Sequence, residues 1–118
     1  MQILVVDDDA LAAEMIAAII ESEGYQPLVA ANAPEGMELL NQHAEIGLII
    51  SDMNMPLVSG VEFFRELREQ GNLLPFILLS GDDSEQAGRQ EPGLSACIVK
   101  DFSLDESLPA VIRQVMNP

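Results

Sequence analysis

The sequence predicts a single α/β domain built on a doubly wound parallel sheet, with five strands in the order 2-1-3-4-5 and five helices on its two faces. Three observations point there. Several short runs are almost continuous Ile, Leu and Val, the pattern of strands buried on both faces. Segments of helical period separate successive runs, and such alternation implies right-handed crossovers and parallel pairing. The chain has 118 residues and no repeat, linker or low-complexity tract, so residues 1–118 are expected to form one domain.

The first strand is read as Gln2–Val6. Leu11, Met15 and Ile19 follow at four-residue spacing, and Gly24 stops that helix. The second strand, Tyr25–Ala30, contains Pro27, which cannot donate to a ladder and so places the strand at an edge. Asn32, three residues before Glu35 and with Pro34 in the first turn, reads as the N-cap of the second helix. Ile46–Ser51 is the third strand. Val61, Phe64 and Leu67 form the stripe of the third helix, ended by Gly71-Asn72. Pro75–Ser80 is the fourth strand. Asp83–Glu91 is the weakest helical pattern, with Gly88 inside it, almost no large apolar residue, and Pro92 after it. Ala96–Val99 is the fifth strand. Ser103-Leu104-Asp105-Glu106 reads as a capping box for a last helix with Leu108, Ile112, Val115 and Met116 inward. With the second strand at an edge, the flavodoxin-like order 2-1-3-4-5 follows.

Composition removes several functions. Twenty Asp and Glu against five Lys and Arg give a formal net charge of −15, which repels a phosphate backbone and argues against direct nucleic-acid binding. One cysteine, Cys97, rules out an internal disulfide, and one histidine, His43, rules out a multi-histidine metal site. No apolar run approaches the ~20 residues of a membrane span, and the N-terminus lacks the basic stretch and cleavage site of a secretory signal. The expectation is a soluble, reduced, cytoplasmic protein without membrane insertion. At 48% hydrophobic residues it is too apolar for a disordered acidic tail.

Ligands of such sheets bind beyond the carboxyl ends of the strands, near the switch point between strands 1 and 3. Strand 1 ends in Asp7-Asp8-Asp9, strand 3 in Ser51-Asp52 followed by Met53-Asn54-Met55-Pro56, strand 4 in Ser80-Gly81-Asp82, and strand 5 in Lys100, the chain's lone lysine. Neighbouring strands lie ~4.8 Å apart, so Asp7, Asp8 and Asp52 would crowd together and repel unless a cation sits among them. Hard oxygen ligands on a partly hydrated site suit Mg²⁺. Asp9 is better placed to cap the first helix, and all three could do no more than that. Lys100 would bring a mobile positive charge to the rim, and Ser80 a hydroxyl donor. A carboxylate can attack phosphorus to give an acyl phosphate, while a metal and an ammonium neutralise the phosphoryl oxygens. Asp52 lies centrally and is the expected nucleophile.

Over nearly its whole length the sequence resembles the receiver domain of bacterial two-component response regulators, including chemotaxis regulators. The matching residues are Asp7-Asp8 after Ile3–Val6, Asp52-x-x-Met55-Pro56-x-x-x-Gly60, Ser80 after Ile77-Leu78-Leu79, and Lys100-x-Phe102. The resemblance implies that Asp52 accepts a phosphoryl group from a sensor histidine kinase or phosphotransfer protein. It implies Mg²⁺ held by Asp8, Asp7, Asp52 and the backbone carbonyl of Asn54, with Ser80 and Lys100 on the phosphoryl oxygens. Such a domain is a phosphoaccepting signalling module, catalysing only its own phosphotransfer and autodephosphorylation. It relays the signal to a downstream protein or a fused output domain, and a weak homodimer is compatible with it.

Three positions depart from the family. Asp101 stands where proline usually follows the lysine, so a trans bond is expected there. Cys97 stands three residues before Lys100, where an aromatic switch residue is common. The pattern over Asp83–Glu91 is short and glycine-containing. The usual readout face is therefore expected to respond less to phosphorylation. Two rivals remain: a pseudo-receiver that binds proteins without being phosphorylated, and a phosphatase of the haloacid dehalogenase type using Asp7-x-Asp9. Acetyl phosphate with Mg²⁺ separates them by giving an adduct, no reaction, or many turnovers.

Overall fold

The computed structural model describes residues 1–81, 91–101 and 103–117. Its elements are β1 (Gln2–Val6), α1 (Ala10–Ser22), β2 (Gln26–Ala30), α2 (Ala33–Gln42), β3 (Ile46–Asp52), α3 (Gly60–Glu69), β4 (Phe76–Ser80), β5 (Ala96–Val99) and α4 (Leu104–Met116). The strands form one sheet in the order β2-β1-β3-β4-β5, parallel at every pairing. Among the described residues there are four helices. The helix expected over Asp83–Glu91 falls, apart from Glu91, outside them, as do Asp82 and Phe102.

The apolar runs are continuous because alternate residues feed two cores. Ile3, Val5, Leu48, Ile50, Ile77 and Leu79 pack with Ile16 and Ile20 of α1 and with Leu104, Leu108 and Ile112 of α4. On the other face, Leu4, Val6, Ile49, Phe76 and Leu78 pack with Phe63, Phe64 and Leu67 of α3. Phe76 meets the rings of Phe63 and Phe64 edge-on, at centroid distances of 5.9 and 5.2 Å.

Local signals set most helix ends. Asp9 caps α1 by accepting from the amides of Leu11 and Ala12, and Asn32 caps α2 by accepting from that of Glu35. Gly24 and Gly71 follow α1 and α3 with φ near +88° and +85°, which glycine adopts without a Cβ penalty. Two expectations need correction. The four-residue spacing in α1 marks a largely outward face: Leu11 and Met15 are exposed, and Ala13, Ile16, Ile19 and Ile20 are buried. The capping box at Ser103 does not form, because the Ser103 hydroxyl donates to Asp101 Oδ1 at 2.8 Å instead of serving the helix. A full capping box occurs at α3, between Ser59 and Glu62.

Pro27 does lie in an edge strand. Gln26 donates to the Met1 carbonyl, and the Ala30 carbonyl accepts from Asp7. Even-numbered residues of β2 therefore face β1, and Pro27 takes an outward position where no partner waits for an amide. The Lys100–Asp101 peptide is trans, as expected. Among the described residues, no helix is long and apolar enough to cross a membrane.

Candidate functional site

Strand register assembles the rim. Val6 of β1 pairs with Ser51 of β3, so Asp7 and Asp52 leave the sheet at the same level. Asp52 pairs with Leu79, so Ser80 stands one residue beyond it, and Ser80 pairs with Val99, so Lys100 stands one further. The Ser80 carbonyl accepts from the Lys100 amide at 2.8 Å. The site residues thus rise in steps across β3, β4 and β5.

Carboxylate oxygens of Asp7, Asp8 and Asp52 all lie within 4.8 Å of one another. Asp7 and Asp52 are buried, whereas Asp8 is exposed. The Lys100 ammonium lies 2.8 Å from Asp7 Oδ2 and 3.4 Å from Asp52 Oδ1. Asp7 Oδ1 also accepts from the Asp9 amide at 2.9 Å. Burial pushes the Asp52 carboxyl above its usual range, Lys100 opposes that, and Asp7 and Asp8 reinforce it. Burial alone would lower Lys100, but its bond to Asp7 and the field of Asp52 hold it above its usual value. Ser80 is buried at the end of β4, and Asn54 is exposed two residues beyond Asp52.

The chain from Asp52 to α3 is held tightly. The Met53 amide donates to the Leu79 carbonyl, and the Gly60 amide to the Met53 carbonyl, both at 2.8 Å. A Cβ on Gly60 would press into the Asp52 carbonyl and the Leu78 side chain, so only glycine lets α3 begin this close to β3. The Ser51 hydroxyl donates to the Asp52 carbonyl at 2.9 Å, a buried support that no sequence pattern signalled. Ser59-x-x-Glu62 was a readable cap signal that the stripe of Val61, Phe64 and Leu67 overshadowed.

Residues 3–112 match the response regulator receiver domain family. The chain belongs to that family. The receiver domain is 33% identical over 121 residues to the response regulator Rre1 of Synechocystis, covering 98% of this chain and 52% of that protein. It is 31% identical over 118 residues to the transcriptional regulatory protein CpxR homolog of Haemophilus influenzae, covering 98% of this chain and 50% of the other. The chain spans about half the length of these relatives. Among solved structures, the response regulator TrrA of Thermotoga maritima, in complex with Mg²⁺–BeF, superposes with a TM-score of 0.86 at 26% identity, covering 97% of each chain. The receiver domain is therefore a signalling module of two-component systems, and its acidic cluster offers the hard oxygen donors that a small divalent cation takes.

Proposed function

We propose that this receiver domain, comprising residues 1–118, accepts a phosphoryl group on Asp52 from a phosphohistidine of a sensor kinase or phosphotransfer protein, in a Mg²⁺-dependent reaction. The observation that carries this reading is one ammonium, Lys100, set between two buried carboxylates, with the third carboxylate beside them. An Asp52 carboxylate oxygen attacks phosphorus. The new P–O bond forms as the P–N bond of phosphohistidine breaks, and the imidazole leaves with the electron pair. Lys100 offers its charge to the phosphoryl oxygens, and Ser80 a hydroxyl donor. Asp7, Asp8, Asp52 and the Asn54 carbonyl would hold Mg²⁺, which when bound neutralises phosphoryl charge. Water later hydrolyses the acyl phosphate and restores Asp52.

Asp9 supports this reading over the phosphatase one, since its carboxylate is occupied in capping α1 and is ill placed as a catalytic acid. Relatives of about twice the length are named as transcriptional regulators. We infer that the output is carried by a partner or a fused domain, because the charge of −15 disfavours DNA contact by this domain itself.

Radiolabelled acetyl phosphate with Mg²⁺ tests the reading. One acid-stable, base-labile adduct per chain is expected in the wild type and none in Asp52→Asn. Undiminished labelling of the variant overturns the assignment, many turnovers per chain would favour the phosphatase, and no labelling of either would favour the pseudo-receiver.

A further inference from the structure

Ser51 is a polar residue in a strand that is otherwise apolar up to Asp52. It is fully buried, and its register partners are Val6 of β1 and Leu78 of β4. Ile49 and Met53, two residues away on either side, belong to the core against α3. Packing alone would favour alanine or valine there, because a buried hydroxyl is tolerated only with a hydrogen-bond partner. The single proton of Ser51 faces two acceptors, the Asp52 carbonyl at 2.9 Å and Met55 Sδ at 3.7 Å. The oxygen is the stronger of the two and the thioether a weak second. In the chain these acceptors flank Met53 and Asn54. One buried hydroxyl thus spans the segment that carries the Asn54 carbonyl.

The same segment is tied at other points by backbone. The Met53 amide donates to the Leu79 carbonyl, and the Met53 carbonyl accepts from the Gly60 amide. Beyond Met55 the chain reverses in a tight turn that the Val58 amide closes on the Pro56 carbonyl, with Leu57 at its centre at φ +73°. A side-chain substitution leaves those backbone bonds in place, whereas the Ser51 bond can be removed by itself. A peptide unit is planar, so a swing of the Asp52 carbonyl turns the Met53 amide with it and displaces the residues that follow. Mg²⁺ demands near-ideal octahedral geometry and is correspondingly intolerant of a displaced oxygen ligand.

We propose that Ser51 is a positioning residue for the cation site: its hydroxyl holds the Asp52 carbonyl, and through it sets the Asn54 carbonyl for Mg²⁺. This rests on the reading of Asp7, Asp8, Asp52 and Asn54 as the Mg²⁺ site. Ser51 acts through the backbone on cation affinity and leaves the transfer chemistry to Asp52, Ser80 and Lys100.

The test uses the full chain and MgCl₂ as the only ligand, titrated by calorimetry. Ser51→Ala is expected to bind Mg²⁺ about tenfold more weakly, the lower end of the loss that follows removal of a group orienting a metal ligand. Ser51→Thr keeps the hydroxyl and Ser51→Val has the same shape without it, so the threonine variant should bind at least about threefold more tightly than the valine one. With acetyl phosphate, Ser51→Ala should label slowly in limiting Mg²⁺ and within about twofold of the wild-type rate once Mg²⁺ saturates it. Wild-type affinity in Ser51→Ala overturns the proposal, even alongside a lower melting temperature, since Ser51 would then serve the fold alone. Equal affinities of the threonine and valine variants overturn it too. So does a labelling defect in Ser51→Ala that saturating Mg²⁺ leaves in place, which would move Ser51 into the transfer step. If the wild type takes up no Mg²⁺, the proposal falls together with the site it rests on. If Mg²⁺ binds in the expected order while the wild type is not labelled, the proposal stands and the reading of Asp52 as acceptor fails.

Discussion

Asp52 holds its negative charge against the preference of its surroundings. Its folded-state pKa is raised, chiefly by burial, so the folded chain binds that proton more tightly than the unfolded chain does. The associated stability is full at pH below the usual 3.8 and is lost as pH rises through the folded value. Asp52→Asn should therefore melt roughly 2–6 °C higher than wild type at pH 7 without divalent cations, and the gap should close toward pH 4. Melts followed by circular dichroism check this; a lower melting temperature at pH 7 would count against stored repulsion. Lys100 differs in that folding favours its charged form, but its pH dependence runs in the same direction. Its pKa is raised, so its contribution is full below the usual 10.5 and is lost as pH climbs through the higher folded value. Lys100→Met leaves the buried Asp7 carboxylate without its cation, which should cost about 1–3 kcal/mol in urea unfolding at pH 7, allowing for solvent at the partly exposed ammonium.

At the scale of elements, two serines with the same sequence context behave differently. Ser59→Ala removes a formed capping box from α3 and should cost about 1 kcal/mol. Ser103→Ala removes a hydroxyl that caps nothing and should change stability by less than about 0.5 kcal/mol. Equal losses in urea titrations would contradict the geometry. The contrast marks what the sequence could tell. Asp9, Asn32, Gly24 and Gly71 were legible because a cap or stop is decided within a few residues. The Ser103 box was not, because Asp101 competes for the hydroxyl from outside the S-x-x-E pattern. The strands were legible from continuous apolar runs, and with them Asp7, Asp52, Ser80 and Lys100 at their ends. The face of α1 was misleading because its buried stripe includes Ala13, which carries little hydrophobic signal, whereas Leu11 and Met15 stand out and are exposed. The stepped register, the Lys100 bridge and the φ of Leu57 depend on how distant segments dock, and no local pattern encodes them.

For the molecule as a whole, a charge of −15 and a crowded rim lead to the expectation that cations stabilise the fold. Under the proposed function, Mg²⁺ at 100 times its dissociation constant should add about 2.7 kcal/mol of stability, since it binds only the folded chain. Melting in millimolar MgCl₂ against NaCl of equal ionic strength separates specific binding from general screening. The excess shift should shrink sharply in Asp8→Ala; a shift of equal size in both salts would dissolve the case for a site. Gly60→Ala tests how the rim is built. Its added methyl has backbone on one side and a core leucine on the other, so a loss of about 1–3 kcal/mol is expected, with weaker Mg²⁺ stabilisation if the β3–α3 junction moves.

Pro27 bears on what happens when many such chains are concentrated together. An open sheet invites a neighbour's strand to add at its edge, and each added strand exposes a fresh edge, so growth of a fibril needs no new chemistry. On the β2 side that growth would need outward amides at positions 27 and 29, and proline removes the first of them. The ring thus interrupts the template at the second residue of the strand while leaving the inward pairing with β1 intact. Pro27→Val would restore the amide within an apolar stretch, and heated concentrated samples should then show seeded, thioflavin-positive aggregation that the wild type lacks. Equal lag times for the two chains would mean that charge repulsion alone, not the ring, protects this edge.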